Sequence, residues 1–321
     1  MSIFAILGSG FGLYGYLPAL IDGPAQRIVL PERYRTRFFE RPELAHFASD
    51  VQWRADESSA LDCANGAVLA LPPINQIEWI PRCLARSNIK SLFLEKPLAH
   101  SPEVAAVIFD DLIRSRKVFR LGYIFRFTTW GKQILNALIT PRSEISSLSI
   151  NWSFLAHHFR YDLRNWKRFT ATGGGAIRFY GIQIIALLAE IGYRDVTLSR
   201  TFGIVRDEAE KWIAVFAGSG LPECEVLVDT RSIVNKFLVE QTFYPSAGLA
   251  TSTFANLSDP FDLESADHRL DRIDRRVPIL SQLCRSLYEE GTKQYECYDA
   301  ATKLWWLTEE KTNFEVMSVS S

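Results

Sequence analysis

The sequence has almost no net charge. Its 36 Lys and Arg stand against 37 Asp and Glu, leaving −1 at neutral pH over 321 residues. So balanced a chain lacks the global basic field that holds nucleic acid or an anionic membrane surface. It also lacks any apolar stretch near the roughly 20 residues needed to span a bilayer. Neither nucleic acid nor membrane is therefore an expected partner. Cysteine is scarce and scattered, with five residues at positions 63, 83, 224, 284 and 297 and no C-x-x-C pair. That arrangement reads as reduced thiols in structural roles, not as a disulfide framework. No grouping of His, Cys and carboxylates has metal-ligand spacing, so no metal is expected. Residues 1–12 hold only a short apolar run with no basic stretch ahead of it, unlike a secretory signal. The cytoplasm is the expected location. Internal repeats and low-complexity blocks are missing as well.

What is present is an ordinary globular composition, 47% hydrophobic and 23% charged, in a chain long enough for two domains. Residues 1–122 alternate short apolar strands with helical segments. Residues 2–7 and 27–30 are apolar runs, the second closed by Pro31. The run at 67–71 is continuously apolar and stops at Pro72-Pro73, as a strand buried on both faces does. Residues 91–94 form another, ending in Glu95-Lys96-Pro97. Ser101 and Pro102 supply an N-cap and a first-turn proline for a helix to about Arg114. Residues 118–122 close the series. This alternation predicts a doubly wound parallel sheet over 1–122. From 123 to 321 the rhythm changes. Residues 145–156 and several runs between 196 and 253 are longer, partly alternating, and separated by Gly, Pro and Asp turns. They predict a second α/β domain with an open, mostly antiparallel sheet. Helices are expected near 176–191, 276–290 and 298–309.

The segment Gly8-Ser9-Gly10-Phe11-Gly12-Leu13 leaves the first strand and enters a helix. In a nucleotide-binding turn one glycine permits the tight bend and the next lets the backbone approach a pyrophosphate, which meets the helix N-terminus. The usual third glycine is Leu13 here, with Gly12 one residue early. A tight strand–helix turn without a nucleotide is the competing reading. An acid about 20 residues on meets the adenosine ribose in such folds, and Glu32 stands in that neighbourhood. Arg33, Arg35 and Arg37 follow it, and a guanidinium there suits a 2′-phosphate; for Arg35 and Arg37 a solvated helix face competes. NAD and NADP both remain open.

Residues 8–20 (GSGFGLYGYLPAL), 70–73 (ALPP) and 94–99 (LEKPLA), then Trp166-Lys167 with 173–183 (GGGAIRFYGIQ), resemble the glucose–fructose oxidoreductase / inositol dehydrogenase (Gfo/Idh/MocA) family. The resemblance implies a Rossmann domain followed by an α/β domain whose open sheet forms an oligomer interface, in a homodimer or homotetramer. It implies that Gly8, Gly10, Phe11 and Gly12 line the pyrophosphate and that Leu71, Pro72 and Pro73 lie against the dinucleotide. Gln76 stands where the family often has a histidine, and Glu95 falls near the nicotinamide ribose. Lys96 falls beside the nicotinamide and the substrate hydroxyl, where an ammonium polarises a carbonyl or passes a proton. Trp166 and Lys167 fall at the substrate.

The chain departs from the family at Phe179 and Gln183, where its sugar dehydrogenases carry Asp and His. Neither replacement exchanges a proton near neutral pH. Tyr180, adjacent on the helical wheel, is the first substitute; Arg178, Lys167, His157 and His158 are others. A buried core aromatic is the competing reading for Tyr180. His157 and His158, read as strand residues, face opposite sides and do not chelate together. The leading functional expectation is an NAD(P)-dependent oxidoreductase acting on a sugar, a nucleotide-sugar or a related carbonyl or imine, with Lys96 and Tyr180 catalytic. One alternative is a lyase or epimerase of sugars that retains and cycles NAD(P). Another is a dinucleotide-binding regulatory protein that has lost the chemistry.

Overall fold

A computed structural model of the protein describes residues 2–139, 145–243, 250–262, 273–289 and 292–317. They divide into two compact units. Thirteen strands lie within these residues: β1 (Ile3–Leu7), β2 (Arg27–Pro31), β3 (Val51–Arg54), β4 (Gly66–Leu69), β5 (Ser91–Leu94), β6 (Val118–Leu121), β7 (Ile145–Leu155), β8 (Asp195–Gly203), β9 (Lys211–Ala217), β10 (Glu223–Asp229), β11 (Arg231–Phe243), β12 (Ala250–Leu257) and β13 (Thr312–Val316).

The first unit contains a six-stranded, all-parallel sheet in the order β3-β2-β1-β4-β5-β6. The order reverses between β1 and β4, which makes their carboxyl ends the switch point where ligands of doubly wound sheets sit. β4 is buried along its whole length and β1 and β5 along all but the first residue, and continuous apolar sequence is what such strands require. The doubly wound sheet expected from the sequence is therefore present. β3, an edge strand reading Val-Gln-Trp-Arg, has no such signal and is an addition to the sequence reading.

The first unit comprises residues 2–99 and 107–124, and residues 273–289 join it from late in the chain. The helix Val277–Arg285 buries Val277, Ile279, Leu280, Leu283 and Cys284, and Arg285 pairs with Asp22 at 2.7 Å. Arg120, fully buried in β6, finds its acceptors here, donating to the carbonyl and hydroxyl oxygens of Ser286 at 3.1 and 3.2 Å. A buried guanidinium without acceptors costs far more than a lost surface contact.

The second unit contains a seven-stranded mixed sheet in the order β12-β11-β7-β10-β9-β8-β13. β7 pairs with β10 in parallel, as β8 does with β13, and the other neighbours are antiparallel. The predicted open, mostly antiparallel sheet is found, with edge strand β13 added. The helix expected near 176–191 begins as a π-turn over Ala176–Gly181 and becomes α-helical over Ile182–Ile191. Gly181 admits the Trp212 ring of β9, since a Cβ there would lie 2.7 Å from it. His157 and His158 are not strand residues. β7 ends at Leu155, and the two open a short helix, His157–Arg160. Among the described residues no helix is long and apolar enough to cross a membrane.

Candidate functional site

Three glycines after β1 do three different things. Gly8 has φ +129°, and a Cβ there would collide with the Ala70 carbonyl beyond β4. Only glycine tolerates that combination. Gly10 is exposed, and among the described residues nothing lies within 4 Å of where a Cβ would stand. Gly12 is pressed onto the sheet, with its missing Cβ 2.8 Å from Ile6 Cγ2 and 3.4 Å from Ala70 Cβ. Gly12 thus supplies the close helix–strand packing ordinarily given by the third glycine. Leu13, in that expected position, is fully buried. A π-turn over Gly12–Tyr16 accommodates the one-residue shift before α geometry begins at Leu17. Phe11 turns its ring onto Gly15 and edge-on to Tyr14 and Tyr16, with the Arg276 guanidinium 4.1 Å above it. Tight packing at Gly8 and Gly12 with open approach at Gly10 fits a dinucleotide pyrophosphate.

A second layer holds this turn. The Gly8 N–H donates to Tyr34 Oη at 3.1 Å, and Tyr34 donates to Glu57 at 3.0 Å. Arg33 donates to the same carboxylate from its Nε at 2.5 Å. Burial, then the Glu57 charge, push the Tyr34 phenol up to about 12. Of the residues predicted here, Arg33 is committed to Glu57, while exposed Glu32 accepts from Arg35 at 2.8 Å. Tyr34 and Glu57 were not legible as site residues, because their pairing across 23 positions leaves no local pattern.

The segment after β4 places Leu71 in a bend, Pro72 at the N-cap and Pro73 at the start of the helix Pro73–Leu84. Gln76, on that helix, is fully buried. Its Nε2 donates to the carbonyls of Glu95, Leu98 and Pro97 at 2.8, 3.1 and 3.3 Å, and its Oε1 accepts from the Glu95 N–H at 3.1 Å. The amide is therefore spent on fixing the Glu95-Lys96-Pro97 turn after β5. Lys96 is half-buried, its backbone N–H donates to Glu95 Oε2 at 3.1 Å, and its peptide to Pro97 is cis. Gly122 at the end of β6 makes room for the Glu95 carboxylate, 2.7 Å from where its Cβ would be.

In the second unit Trp166, Lys167, Phe179 and Tyr180 come together. Phe179 meets Trp166 edge-on at 5.2 Å, with Lys167 Nζ 5.2 Å over its ring. Tyr180 lies 4.7 Å from Phe179, 4.9 Å from Phe154 and 5.5 Å from Trp152. Burial holds its phenol above the ordinary value, so it stays protonated throughout the neutral range. His158 faces the same ring at 6.3 Å and is only 2% exposed. Desolvation, reinforced by Lys167 and Arg168, lowers its imidazole to about 4. Gln183 is buried one turn on.

Arg178 is an anchor, bonded to Glu309 at 2.5 and 2.8 Å and to the carbonyls of His100 and Thr170 at 2.6 and 2.9 Å. The Gly173-Gly174-Gly175 run serves the chain itself, because a Cβ on Gly174 would strike the Trp166 carbonyl. Among the described residues no group of His, Cys, Asp and Glu is placed to hold a metal ion.

No protein-family model matches the chain, and no curated protein matches it. Solved structures do. A 3-ketoreductase from Actinomadura kijaniata, KijD10, in complex with NADP and TDP-benzene, is 13% identical with a TM-score of 0.70, covering 99% of each chain. An oxidoreductase from Agrobacterium radiobacter in complex with NAD+, L-tartaric acid and magnesium is 12% identical with a TM-score of 0.69, covering 95% of this chain and 94% of that one. A myo-inositol dehydrogenase from Corynebacterium glutamicum is 14% identical with a TM-score of 0.65, covering 97% and 96%. From end to end, this chain has the fold of these oxidoreductases.

Proposed function

We propose that the protein is an NAD(P)-dependent oxidoreductase acting on a sugar, a nucleotide-linked sugar or a related polar carbonyl or imine. The observation that carries the proposal is the division of labour among Gly8, Gly10 and Gly12 at the switch point of a doubly wound sheet. Two of the solved structures similar in fold were crystallised with NADP or NAD, which supports the same cofactor here. A bound nicotinamide supplies the hydride. The chain's own part is to bind, orient and move a proton. Gly8, Gly10, Phe11 and Gly12 cradle the pyrophosphate, Glu32 and Arg33 stand on the adenosine side, and Leu71, Pro72 and Pro73 flank the dinucleotide. Gln76 fixes the turn that carries Lys96 through the backbone of Glu95, Pro97 and Leu98, and the Lys96 ammonium gives or takes the proton at the substrate oxygen.

Tyr180 is the second proton donor, its phenol held protonated by burial. Trp166, Lys167, Phe179 and Gln183 bind substrate, with aromatic faces in place of the acid–base pair of sugar dehydrogenases. The second sheet joins copies into a homodimer or homotetramer, and the cytoplasm is the proposed location. One observation favours a second reading, a dinucleotide-binding protein without turnover: Phe179 and Gln183 carry no exchangeable proton. Lys96→Ala separates the two. In the enzyme it lowers the rate while dinucleotide binding, followed by nicotinamide fluorescence, persists. A chain that binds dinucleotide but reduces no member of a sugar-carbonyl panel supports the second reading.

A further inference from the structure

Two acids stand near the end of β2, and an arginine offsets the charge of each. Glu32 accepts from Arg35. Glu57, on the helix Glu57–Asp62, is 9% exposed and accepts from Arg33 and Tyr34. Recognition of a bare adenosine ribose uses an acid there, and a 2′-phosphate a cation. Arg37 is different. It is exposed on the helix Arg35–Phe39, and among the described residues it has no carboxylate partner. Its Nη1 reaches back to donate to Ser9 Oγ at 2.9 Å, and Ser9 lies between Gly8 and Gly10 of the turn. An uncompensated guanidinium and a hydroxyl therefore meet at the rim of the glycine turn, on the β2 side of the sheet.

We infer that the chain selects the 2′-phosphorylated dinucleotide, NADP, and that Arg37 with Ser9 is the selecting pair. The inference rests on the dinucleotide reading above. A 2′-phosphate brings close to two negative charges and several acceptor oxygens. Guanidinium groups bind phosphate in charge-assisted, often bidentate hydrogen bonds. The Ser9 hydroxyl, now an acceptor from Arg37, has its own proton to donate to a phosphate oxygen. Glu32 opposes the phosphate, but the Arg35 guanidinium offsets its charge.

The test is a fluorescence titration of the full chain with NADPH and with NADH, backed by competition with adenosine 2′,5′-bisphosphate and with AMP. NADPH is expected to bind about tenfold tighter or better, and the bisphosphate to compete better than AMP. Arg37→Ala is expected to bring NADPH to the level of NADH, leaving NADH within about twofold. As Arg37 is a surface residue, the variant folds, and Arg37→Lys retains part of the preference. NADH binding as tightly as NADPH, or Arg37→Ala weakening both alike, overturns the inference while the dinucleotide reading stands. Binding of neither dinucleotide overturns both.

Discussion

Tyr34 Oη lies 3.1 Å from the Gly8 amide nitrogen and accepts its hydrogen bond, tying the first glycine of the turn to a residue 26 positions away. The same hydroxyl donates to Glu57. Tyr34→Phe strands a buried N–H and removes a partner from a buried carboxylate. A loss of about 1–3 kcal/mol in unfolding free energy is expected, read by urea denaturation. In the wild type the phenol, raised from 10.0 to about 12, adds a signature at high pH. The unfolded chain loses this proton first, so stability falls as pH rises from about 10 to about 12. Tyr34→Phe abolishes that part of the fall.

The glycines predict a dissociation of stability from binding. Gly8→Ala forces both a positive φ and a collision with the Ala70 carbonyl, and is expected to prevent folding or cost several kcal/mol. Gly12→Ala meets Ile6 at 2.8 Å and is expected to cost about 1–3 kcal/mol. Gly10→Ala meets nothing among the described residues, so thermal unfolding stays within about 1 °C of wild type while dinucleotide binding weakens. Calorimetry and fluorescence on the three variants check the order.

His158 sets an acid limit. Its imidazole is lowered from 6.5 to about 4. Between those values the unfolded chain binds the proton and the folded chain does not, so stability falls as pH drops through the window. The contribution lost by about pH 4 is on the order of 3 kcal/mol. His158→Gln is expected to flatten that part of the profile. An imidazole titrating near 6.5 by NMR contradicts the burial argument.

Gln76 makes four bonds to the backbone around Lys96. Gln76→Ala leaves those carbonyls unpaired and is expected to cost at least about 2 kcal/mol in urea denaturation. Gln76→Met, which keeps the volume but not the bonds, separates hydrogen bonding from packing by remaining as unstable as the Ala variant.

How much of this was legible depended on where the signal resides. β1, β4 and β5 are buried on both faces and announce themselves as apolar runs. β3 and β13, edge strands carrying Arg54 and Glu315, do not. The glycine turn was readable as a motif, but the apparent defect at Leu13 dissolves only in three dimensions, where the π-turn sets Gly12 against Ile6. Tyr34 with Glu57 and Gln76 with the turn around Lys96 are pairings over long sequence separation, which no local pattern encodes. The gathering of Trp166, Lys167 and Phe179 was anticipated only through family resemblance. The aromatic wall behind Tyr180, made by Trp152 and Phe154, was not anticipated.

The central claim is that the turn from Gly8 to Gly12 holds a dinucleotide pyrophosphate. Calorimetric titration of NADPH and NADH into the wild-type chain and into Gly10→Ala tests it most directly. Micromolar binding of at least one dinucleotide to the wild type is expected, with a loss of at least about tenfold in Gly10→Ala, its fold intact. Wild-type protein that binds neither, or a Gly10→Ala variant that binds as well as wild type, contradicts it.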